Sequence, residues 1–248
     1  MNNAPTKPSG RPNLRSWDLE VVDSFDAPGN MRRVAFTAPD VSEFDYKPGQ
    51  AIVFSMPLPN GETGRRHYTI RSADRERGTF DVDFLLHGDT PSPRWARNAR
   101  RGDRIEAKGP RGGAWFRPDA DWHLLSGDET GIPAIAHMLE NMPAGARVFT
   151  LIEVDGPGDE IAIETQADAD IRWLHRNGVA RGPNDVAVSA IVGLSLPQSR
   201  GHAVVIGETS NVRRQRHTLI ARGMAREQIS SEGYWRPDRV GGHDHVDD

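Results

Sequence analysis

The first half of the chain consists of short apolar and aromatic runs separated by turn signals, such as 26–30 (DAPGN) and 47–50 (KPGQ). Runs of this length between Gly and Pro clusters are typical of β-strands. The predicted strands are 17–25, 32–37, 51–56, 66–71, 79–87 and 103–107. A series of short strands at this spacing indicates an antiparallel barrel or sandwich. One short helix is predicted at 92–101, where apolar positions recur at helical spacing after Pro93.

The second half changes its pattern to strands that alternate with helices. Strands are predicted at 122–126, 146–154, 171–175, 203–207 and 228–234, and helices at 132–141 and 211–225. Such alternation predicts a parallel sheet covered by helices. We therefore expect two domains, at 13–118 and 119–240, with flexible termini at 1–12 and 241–248.

Composition narrows the function classes. The 248 residues carry a net charge of -4 and contain no cysteine. The charge gives no general basicity for nucleic acid, and the missing thiols exclude disulfides, cysteine nucleophiles and thiolate-bound iron–sulfur clusters. No apolar stretch approaches the about 18 residues of a membrane span or forms a signal peptide. We expect a cytoplasmic monomer without membrane insertion.

The segment 66–71 (RHYTIR) offers a cation and an aromatic ring on one face of a predicted strand. Alternation places Arg66 and Tyr68 on the same side. A guanidinium suits bidentate phosphate contacts, and a tyrosine ring can lie flat against a conjugated ligand. Phosphate plus flat ring describes a flavin nucleotide. The other interpretation of these residues is an ordinary surface strand, and the hexapeptide alone does not decide between the two.

Further motifs follow in one order along most of the chain. They are DFLLHG (83–88), TPSPRWA (90–96), GPRG (109–112), GDETGIPAI (127–135) and GYWR (233–236). With RHYTIR they resemble the siderophore-interacting protein family, the FAD-binding ferric-siderophore reductases related to ferredoxin reductases. The resemblance covers about 19–236. It implies a six-stranded antiparallel β-barrel that holds FAD, followed by an α/β parallel-sheet domain that presents NADPH or NADH.

The resemblance also assigns residues. Arg66 is expected on the FAD phosphates, Tyr68 on the isoalloxazine ring and Thr69 at its polar edge. The remaining cofactor-binding residues expected from it are Ile70, Asp83, His87, Ser92, Trp95, Thr130 and Trp235, and the substrate-binding residues are Arg236 and Arg239.

Two segments depart from what a nucleotide site needs. Pro93 stands where the family has a serine, so this position has neither an N–H nor a hydroxyl for phosphate, and Ser92 is the candidate replacement. The segment 127–133 (GDETGIP) carries two carboxylates that repel phosphate, so the nicotinamide nucleotide's phosphates are expected at 207–210 with Arg213 and Arg214. The segment 127–133 could instead be an ordinary first turn of a helix whose acids match the helix dipole, and Trp235 could anchor a buried terminal strand.

The expected function is transfer of electrons from NAD(P)H through FAD to a ferric siderophore or other ferric chelate. The family often has lysines in its substrate cleft, but this chain has only Lys7, Lys47 and Lys108, so either arginines such as Arg216, Arg222, Arg236 or Arg239 take their place or the substrate differs. One alternative is a flavin or ferredoxin reductase with another electron partner, and a ferredoxin could also replace NAD(P)H as donor. Another is a non-catalytic flavin- or siderophore-binding protein. A metal site at 243–245 (HDH) is not expected.

Overall fold

The structure is a computed structural model that describes residues 14–239 and 244–246. Its first domain is a closed antiparallel barrel with the strand order β1-β2-β5-β4-β3-β6. The barrel elements are β1 (Ser16–Ala27), β2 (Met31–Thr37), β3 (Ala51–Pro57), β4 (Thr63–Asp74), β5 (Thr79–Leu85), helix α1 (Pro91–Asn98) and β6 (Arg104–Arg111). A 3₁₀ turn, Val41–Glu43, lies between β2 and β3.

Aromatic rings fill the barrel because strand alternation sends every second side chain inward. Phe36 of β2 lies 5.3 Å from Phe54 of β3 and 5.6 Å from Phe80 of β5, measured between ring centroids. Phe84 lies four residues after Phe80 and therefore on the same face of β5, points into the same core and is fully buried. Helix α1 closes one end of the barrel by packing Trp95 against Phe36 and Phe84.

The second domain is a sheet with the order β12-β11-β10-β7-β8-β9, parallel except for β12. Its helices lie on both faces, with α2 on one and α3 and α4 on the other. Because the sheet is covered on both faces, strands such as β10 are buried at every position and have an apolar middle, here 203–206 (AVVI). The elements are β7 (Trp122–Asp128), α2 (Ile132–Glu140), β8 (Arg147–Val154), β9 (Asp168–His175), α3 (Val186–Gly193), β10 (Gly201–Glu208), α4 (Thr209–Ala221), β11 (Ile229–Trp235) and β12 (Asp244–His245), with 3₁₀ turns at Glu129–Gly131, Pro157–Asp159 and Arg226–Gln228.

The predicted fold class is confirmed: a six-stranded antiparallel barrel precedes a parallel α/β sheet. Helix α3 was not predicted, because Val186–Gly193 is an almost uniformly apolar segment without a polar face to reveal its period. The boundary between 118 and 119 stays a prediction. The flexible termini predicted at 1–12 and 241–248 lie outside the described residues except for 244–246, where β12 pairs with β11. No helix in the described part of the chain is long and apolar enough to cross a membrane.

Polar contacts join the two domains beside β4. His137 of α2 contacts the carbonyl of Ile70 through Nδ1 at 2.8 Å. Arg71 donates two hydrogen bonds to the carboxylate of Glu140 at 2.5 and 2.6 Å. On the other side, Glu232 of β11 accepts a hydrogen bond from the N–H of Gly113 at 2.7 Å. These contacts bring the C-terminal end of the parallel sheet against the middle of β4.

Candidate functional site

A large cavity lies between β4 and β5 of the barrel and the segment that follows β11. Its volume is about 1370 Å³, open solvent at the mouth included. Its position agrees with the rule that ligands bind outside the carboxyl ends of parallel strands. We call it the interdomain cleft, and its walls are formed by Met31, Ala51, Arg66, His67, Tyr68, Thr69, Asp83, Leu85, His87, Thr90, Ser92, Glu129, Thr130, Pro133, Glu232, Tyr234, Trp235, Arg236, Pro237, Asp238 and Arg239.

Tyr68 supplies an aromatic wall of the cleft. Its ring lies 4.2 Å from that of Phe84, centroid to centroid, so the barrel core supports it from behind. Burial raises the pKa of the Tyr68 phenol to about 12, partly offset by the nearby Ser92 hydroxyl. The phenol is therefore protonated at neutral pH and presents an uncharged ring to a ligand.

Arg66 and Ser92 form a polar corner beside Tyr68. Arg66, two residues before Tyr68 on the same face of β4, donates from Nη1 to the carbonyl of Arg65 at 2.9 Å. That bond leaves further guanidinium N–H groups for an anion. Ser92 opens helix α1, is 3% exposed, and its Oγ has no hydrogen-bond partner among the described residues. A buried orphan hydroxyl needs a partner, so a cation and a donor beside a flat ring fit the phosphate and ring of a flavin nucleotide.

Trp235 is held by a buried carboxylate. Its indole Nε1 donates to Oδ2 of Asp128 at 2.8 Å, and its carbonyl accepts from the hydroxyl of Thr209 at 3.0 Å. Asp128 also accepts from the N–H and hydroxyl of Thr130 and from the N–H of Glu208. Burial raises the pKa of Asp128, and the donated hydrogen bonds act in the opposite direction. The carboxylate thus sets the wall of the cleft that Thr130 and Trp235 provide.

One helix N-terminus at the carboxyl end of the sheet is occupied by the protein's own acid. Glu208 accepts from the Asn211 N–H at the start of α4, whereas Asp128 caps the 3₁₀ turn before α2 by accepting from the Thr130 N–H. Helix N-termini are where nucleotide phosphates bind in many α/β proteins, and at α4 a carboxylate takes that place. Arg214, expected near a phosphate, is paired with Asp185 at 2.7 Å. Phosphate binding at 207–210 stays a prediction.

A buried ion cluster lies below these helix ends. Arg176, with only 4% of its side chain exposed, bonds to Glu129 and lies 3.3 Å from Glu153. Burial raises the pKa of Glu153, while Asn184 and Arg176 counter that shift. Arg181 lies 3.8 Å from Glu129 as a second cation, so two guanidinium groups face the two carboxylates, which therefore offer little attraction to a cation from outside.

Most of the predicted site residues meet in the interdomain cleft. They are Arg66, Tyr68, Thr69, Asp83, His87, Ser92, Thr130, Trp235, Arg236 and Arg239. The carboxylate of Asp83 accepts two hydrogen bonds of 2.7 Å from Arg33, so it stabilises the wall of the cleft rather than binding a ligand.

Ile70 and Trp95 do not line the cleft. The side chain of Ile70 is fully buried in the barrel core, and its carbonyl is bound by His137. Trp95 packs on Phe36 and lines a separate groove on the other side of helix α1. Alternation places Ile70 on the same face of β4 as Arg66 and Tyr68, but at its position that face is buried in the barrel core.

Tyr234 and Glu232 are among the cleft residues that were not predicted from the sequence. Tyr234 interacts with Thr69 across the domains, and burial raises the pKa of its phenol. Glu232 is 7% exposed and lies against Gly113. Tyr234 belongs to the GYWR motif, so the sequence contained a signal that could have identified it. No sequence pattern identifies Glu232, because only the docking of β11 on the barrel brings it to the cleft.

Comparison with known proteins identifies the family. The model described as siderophore-interacting protein matches residues 120–238, and the siderophore-interacting FAD-binding domain matches residues 51–114. The ferric vibriobactin reductase of Vibrio cholerae is 31% identical over 241 residues, which cover 88% of each chain. This chain belongs to the siderophore-interacting protein family. The barrel therefore carries the FAD-binding domain of that family, as the resemblance implied.

Two further relatives are similar to most of this chain. An uncharacterised protein of Mycobacterium tuberculosis is 35% identical over 187 residues, 71% of this chain and 66% of that protein, just under two thirds of its length. The NADPH-dependent ferric-chelate reductase of Escherichia coli is 24% identical over 87% of this chain and 84% of its own.

Solved structures show the same architecture. A siderophore utilization protein from T. fusca superposes with a TM-score of 0.82 at 29% identity, covering 92% of this chain and 95% of that one. A ferredoxin reductase of carbazole 1,9a-dioxygenase, at 18% identity and a TM-score of 0.67, covers 88% of this chain and 68% of its own. The fold is thus ferredoxin-reductase-like, as predicted.

Asp128→Asn should destabilise the protein, because it replaces one carboxylate oxygen by an NH₂ group. That NH₂ group would face N–H donors, such as the indole of Trp235, that now donate to an oxygen. We expect a loss of about 2 kcal/mol, typical of a broken buried charge-assisted bond. Thermal unfolding and tryptophan fluorescence measure the change in stability and in the Trp235 environment. Asp185→Asn, at an exposed pair with Arg214, is the control and should cost less than about 1 kcal/mol. Equal effects of both substitutions would contradict the role given to Asp128.

Arg66→Ala should weaken FAD binding roughly ten- to a hundredfold, because it removes a phosphate contact of about 1.5–3 kcal/mol. The measurement is a flavin titration followed by fluorescence. Arg65→Ala is the matched control, since Arg65 is the exposed neighbour on the opposite face of β4. If FAD affinity is the same in both variants, Arg66 is not a phosphate ligand.

Proposed function

We propose that this protein is an FAD-dependent ferric-siderophore reductase that passes electrons from NAD(P)H through FAD to chelated ferric iron. The observation that carries the proposal is the composition of the interdomain cleft. Its inner wall holds Arg66, Tyr68 and Ser92, suited to a flavin, and its mouth holds the exposed Arg236 and Arg239. The names of the Vibrio cholerae and Escherichia coli relatives support the same activity.

FAD, when bound, accepts the two electrons of a hydride and releases them singly, which suits a one-electron acceptor such as ferric iron. The residues of this chain bind and orient it. Tyr68 offers a neutral ring at the inner wall, and Arg66 with Ser92 offers charge and a hydroxyl to the phosphates. Trp235, held by Asp128, narrows the cleft from the opposite domain and reduces the access of water.

The substrate we propose is an anionic ferric chelate. Arg236 and Arg239 are exposed where the cleft opens, and guanidinium groups suit carboxylate, catecholate or hydroxamate oxygens. Before its reduction the ferric ion stays bound to its chelator rather than to the protein. No cluster of metal-ligating side chains occurs within 14–239 or 244–246. Reduction releases the metal, because such oxygen ligands hold the harder ferric ion more strongly than the ferrous one.

A reductase of the same fold with a protein donor is the second candidate, and one observation favours it. Glu208 caps the N-terminus of α4 and Asp128 caps the 3₁₀ turn that leads into α2, so dinucleotide phosphates would need other partners at these two places. Electron donation by a ferredoxin requires no binding site for dinucleotide phosphates. The monomeric state and the cytoplasmic location expected from the sequence stay predictions.

The activity is tested by anaerobic reduction of a soluble ferric siderophore with NADPH, NADH or reduced ferredoxin, with ferrous iron captured by a chelator. Arg236→Ala combined with Arg239→Ala should lower kcat/KM for an anionic chelate about tenfold, at an unchanged rate of flavin reduction. Rising salt should slow the wild type towards the variant, because screening acts over about 8–10 Å near physiological ionic strength.

Arg77→Ala, an exposed cation on the distant β4–β5 turn, is the control and should leave the rate unchanged. A neutral chelate should show little salt dependence. The ferric assignment fails if the flavin is reduced readily but no ferric chelate reoxidises it faster than buffer alone. In that case the flavoprotein assignment would survive and protein acceptors would be the next candidates.

A further inference from the structure

Arg71 ends the RHYTIR segment but is not among the described residues that line the interdomain cleft. Its side chain, 12% exposed, lies between the two domains instead. Its two Nη atoms donate to the carboxylate of Glu140, the last residue of α2, at 2.5 and 2.6 Å. The arginine therefore belongs to the flavin-like segment by sequence, while its contacts cross the domain boundary.

We propose that the ion pair of Arg71 and Glu140 positions the two domains for reduction of the flavin. The proposal rests on the function above, in which the barrel holds FAD and the α/β domain presents NAD(P)H. In that step the nicotinamide loses a hydride, one hydrogen with two electrons, and the flavin gains it. NAD(P)H is thereby oxidised to NAD(P)⁺ and FAD is reduced. Arg71 and Glu140 contact neither ring and act as positioning residues.

The first argument is that the pair joins the two walls of the cleft. Strand β4 carries Tyr68 in the barrel wall shortly before Arg71. Helix α2 begins directly after Thr130 in the opposite wall and ends at Glu140. Its nine residues span only about 14 Å, so the helix is a short rigid body. Fixing its C-terminal end to β4 therefore fixes the position of its N-terminal end in the cleft.

The second argument is that the barrel holds the guanidinium in one orientation. Nε of Arg71 lies 3.8 Å from Oδ2 of Asp83, a carboxylate that accepts two hydrogen bonds of 2.7 Å from Arg33. The side chain of Asp83 is 5% exposed and lines the cleft. One edge of the planar guanidinium thus faces Asp83, and its other edge binds Glu140. A lysine ammonium does not reproduce this two-edged geometry.

The third argument is the strength of this contact relative to its neighbour. His137 of α2 contacts the carbonyl of Ile70 at 2.8 Å, and burial lowers the pKa of its imidazole, so the ring is uncharged at neutral pH. The pair of Arg71 and Glu140 is charge-assisted and doubly hydrogen-bonded, a stronger and more directional contact than a neutral one. On this side of the cleft the ion pair therefore determines the docking geometry.

Hydride transfer is the step most sensitive to that geometry. The reacting atoms must approach to about 3–3.5 Å, and a misplacement of about 1 Å can cost about 10²-fold in rate. The two rings belong to different domains in the proposed function, so their distance depends on docking. Flavin binding depends on Arg66, Tyr68 and Ser92 of the barrel alone. A weakened pair should thus slow flavin reduction without weakening flavin affinity.

The test separates the two half-reactions in Glu140→Gln, which keeps the shape of the side chain and removes its charge. Flavin reduction by NADPH and by NADH is followed anaerobically in a stopped-flow instrument and should be about tenfold slower. FAD affinity, measured by fluorescence, and reoxidation of photoreduced flavin by ferric citrate should be unchanged. Arg71→Lys, which keeps the charge, should be less impaired than Arg71→Gln. Arg71→Gln combined with Glu140→Gln should be no slower than Arg71→Gln alone, because the two residues act as one unit.

Asp168→Asn is the matched control. It removes a carboxylate from a pair with Arg147, at 2.9 Å, that lies within the α/β domain, so flavin reduction should stay at the wild-type rate. Docking is also measured directly. The chain has no cysteine, so spin labels can be attached at Arg77→Cys in the barrel and Ser195→Cys in the α/β domain, both exposed. The distribution of label distances should broaden in Glu140→Gln and not in Asp168→Asn.

The proposal is overturned if Glu140→Gln reduces its flavin at the wild-type rate, or if flavin reduction and reoxidation slow equally. It is also overturned if the label distances in Glu140→Gln match the wild type. If the wild-type flavin is reduced by neither NADPH nor NADH, the donor assignment and this proposal fail together. If the wild-type flavin is reduced but ferric citrate and ferric siderophores do not reoxidise it, the ferric assignment alone fails, and a slowed flavin reduction in Glu140→Gln still supports the positioning role.

Discussion

The carboxylate of Asp128 is the interaction on which the candidate site depends. It lies at the end of β7 and accepts hydrogen bonds from Thr130, Glu208 and Trp235, which follow or end three neighbouring strands. A buried carboxylate is costly unless its oxygens are fully bonded. Its four donors meet that need and, in return, fix the entry to α2, the entry to α4 and the indole of Trp235. The wall of the cleft is thus a consequence of neutralising one buried charge.

The barrel contributes the opposite wall by a different mechanism. Its aromatic core is packed from within, and Tyr68 rests on Phe84 at the point where that core reaches the surface. The two walls meet because His137 and Glu140 of α2 contact Ile70 and Arg71, directly after Tyr68 and Thr69 in β4. Strand β4 therefore carries both the side chains suited to a flavin and the residues that contact the second domain. A change in domain docking would alter the cleft without touching any ligand-binding side chain.

Sequence reasoning reached the strands and most of the cleft for physical reasons. Period-two alternation identifies strands and their faces, so Arg66 and Tyr68 were correctly placed on one side of β4. Ile70 lies on the same face, but there that face is buried in the barrel core, although the motif suggested a ligand contact. Helix α3 carries no amphipathic signal, and Glu232 depends on how β11 docks against Gly113. Such long-range contacts leave no local pattern in a single sequence.

The capping of α4 by Glu208, and of the 3₁₀ turn before α2 by Asp128, has a consequence for thermodynamic linkage. A ligand stabilises a protein only through groups that it satisfies better than the free protein does. The N–H groups of Thr130 and Asn211 are already satisfied, so an anion arriving there would first have to displace a carboxylate from its donors. At Ser92 the situation is reversed, since a buried hydroxyl lacks a partner until something supplies one. Heat resistance gained from a bound nucleotide should thus arise mainly at the barrel wall of the cleft rather than at these two N–H groups.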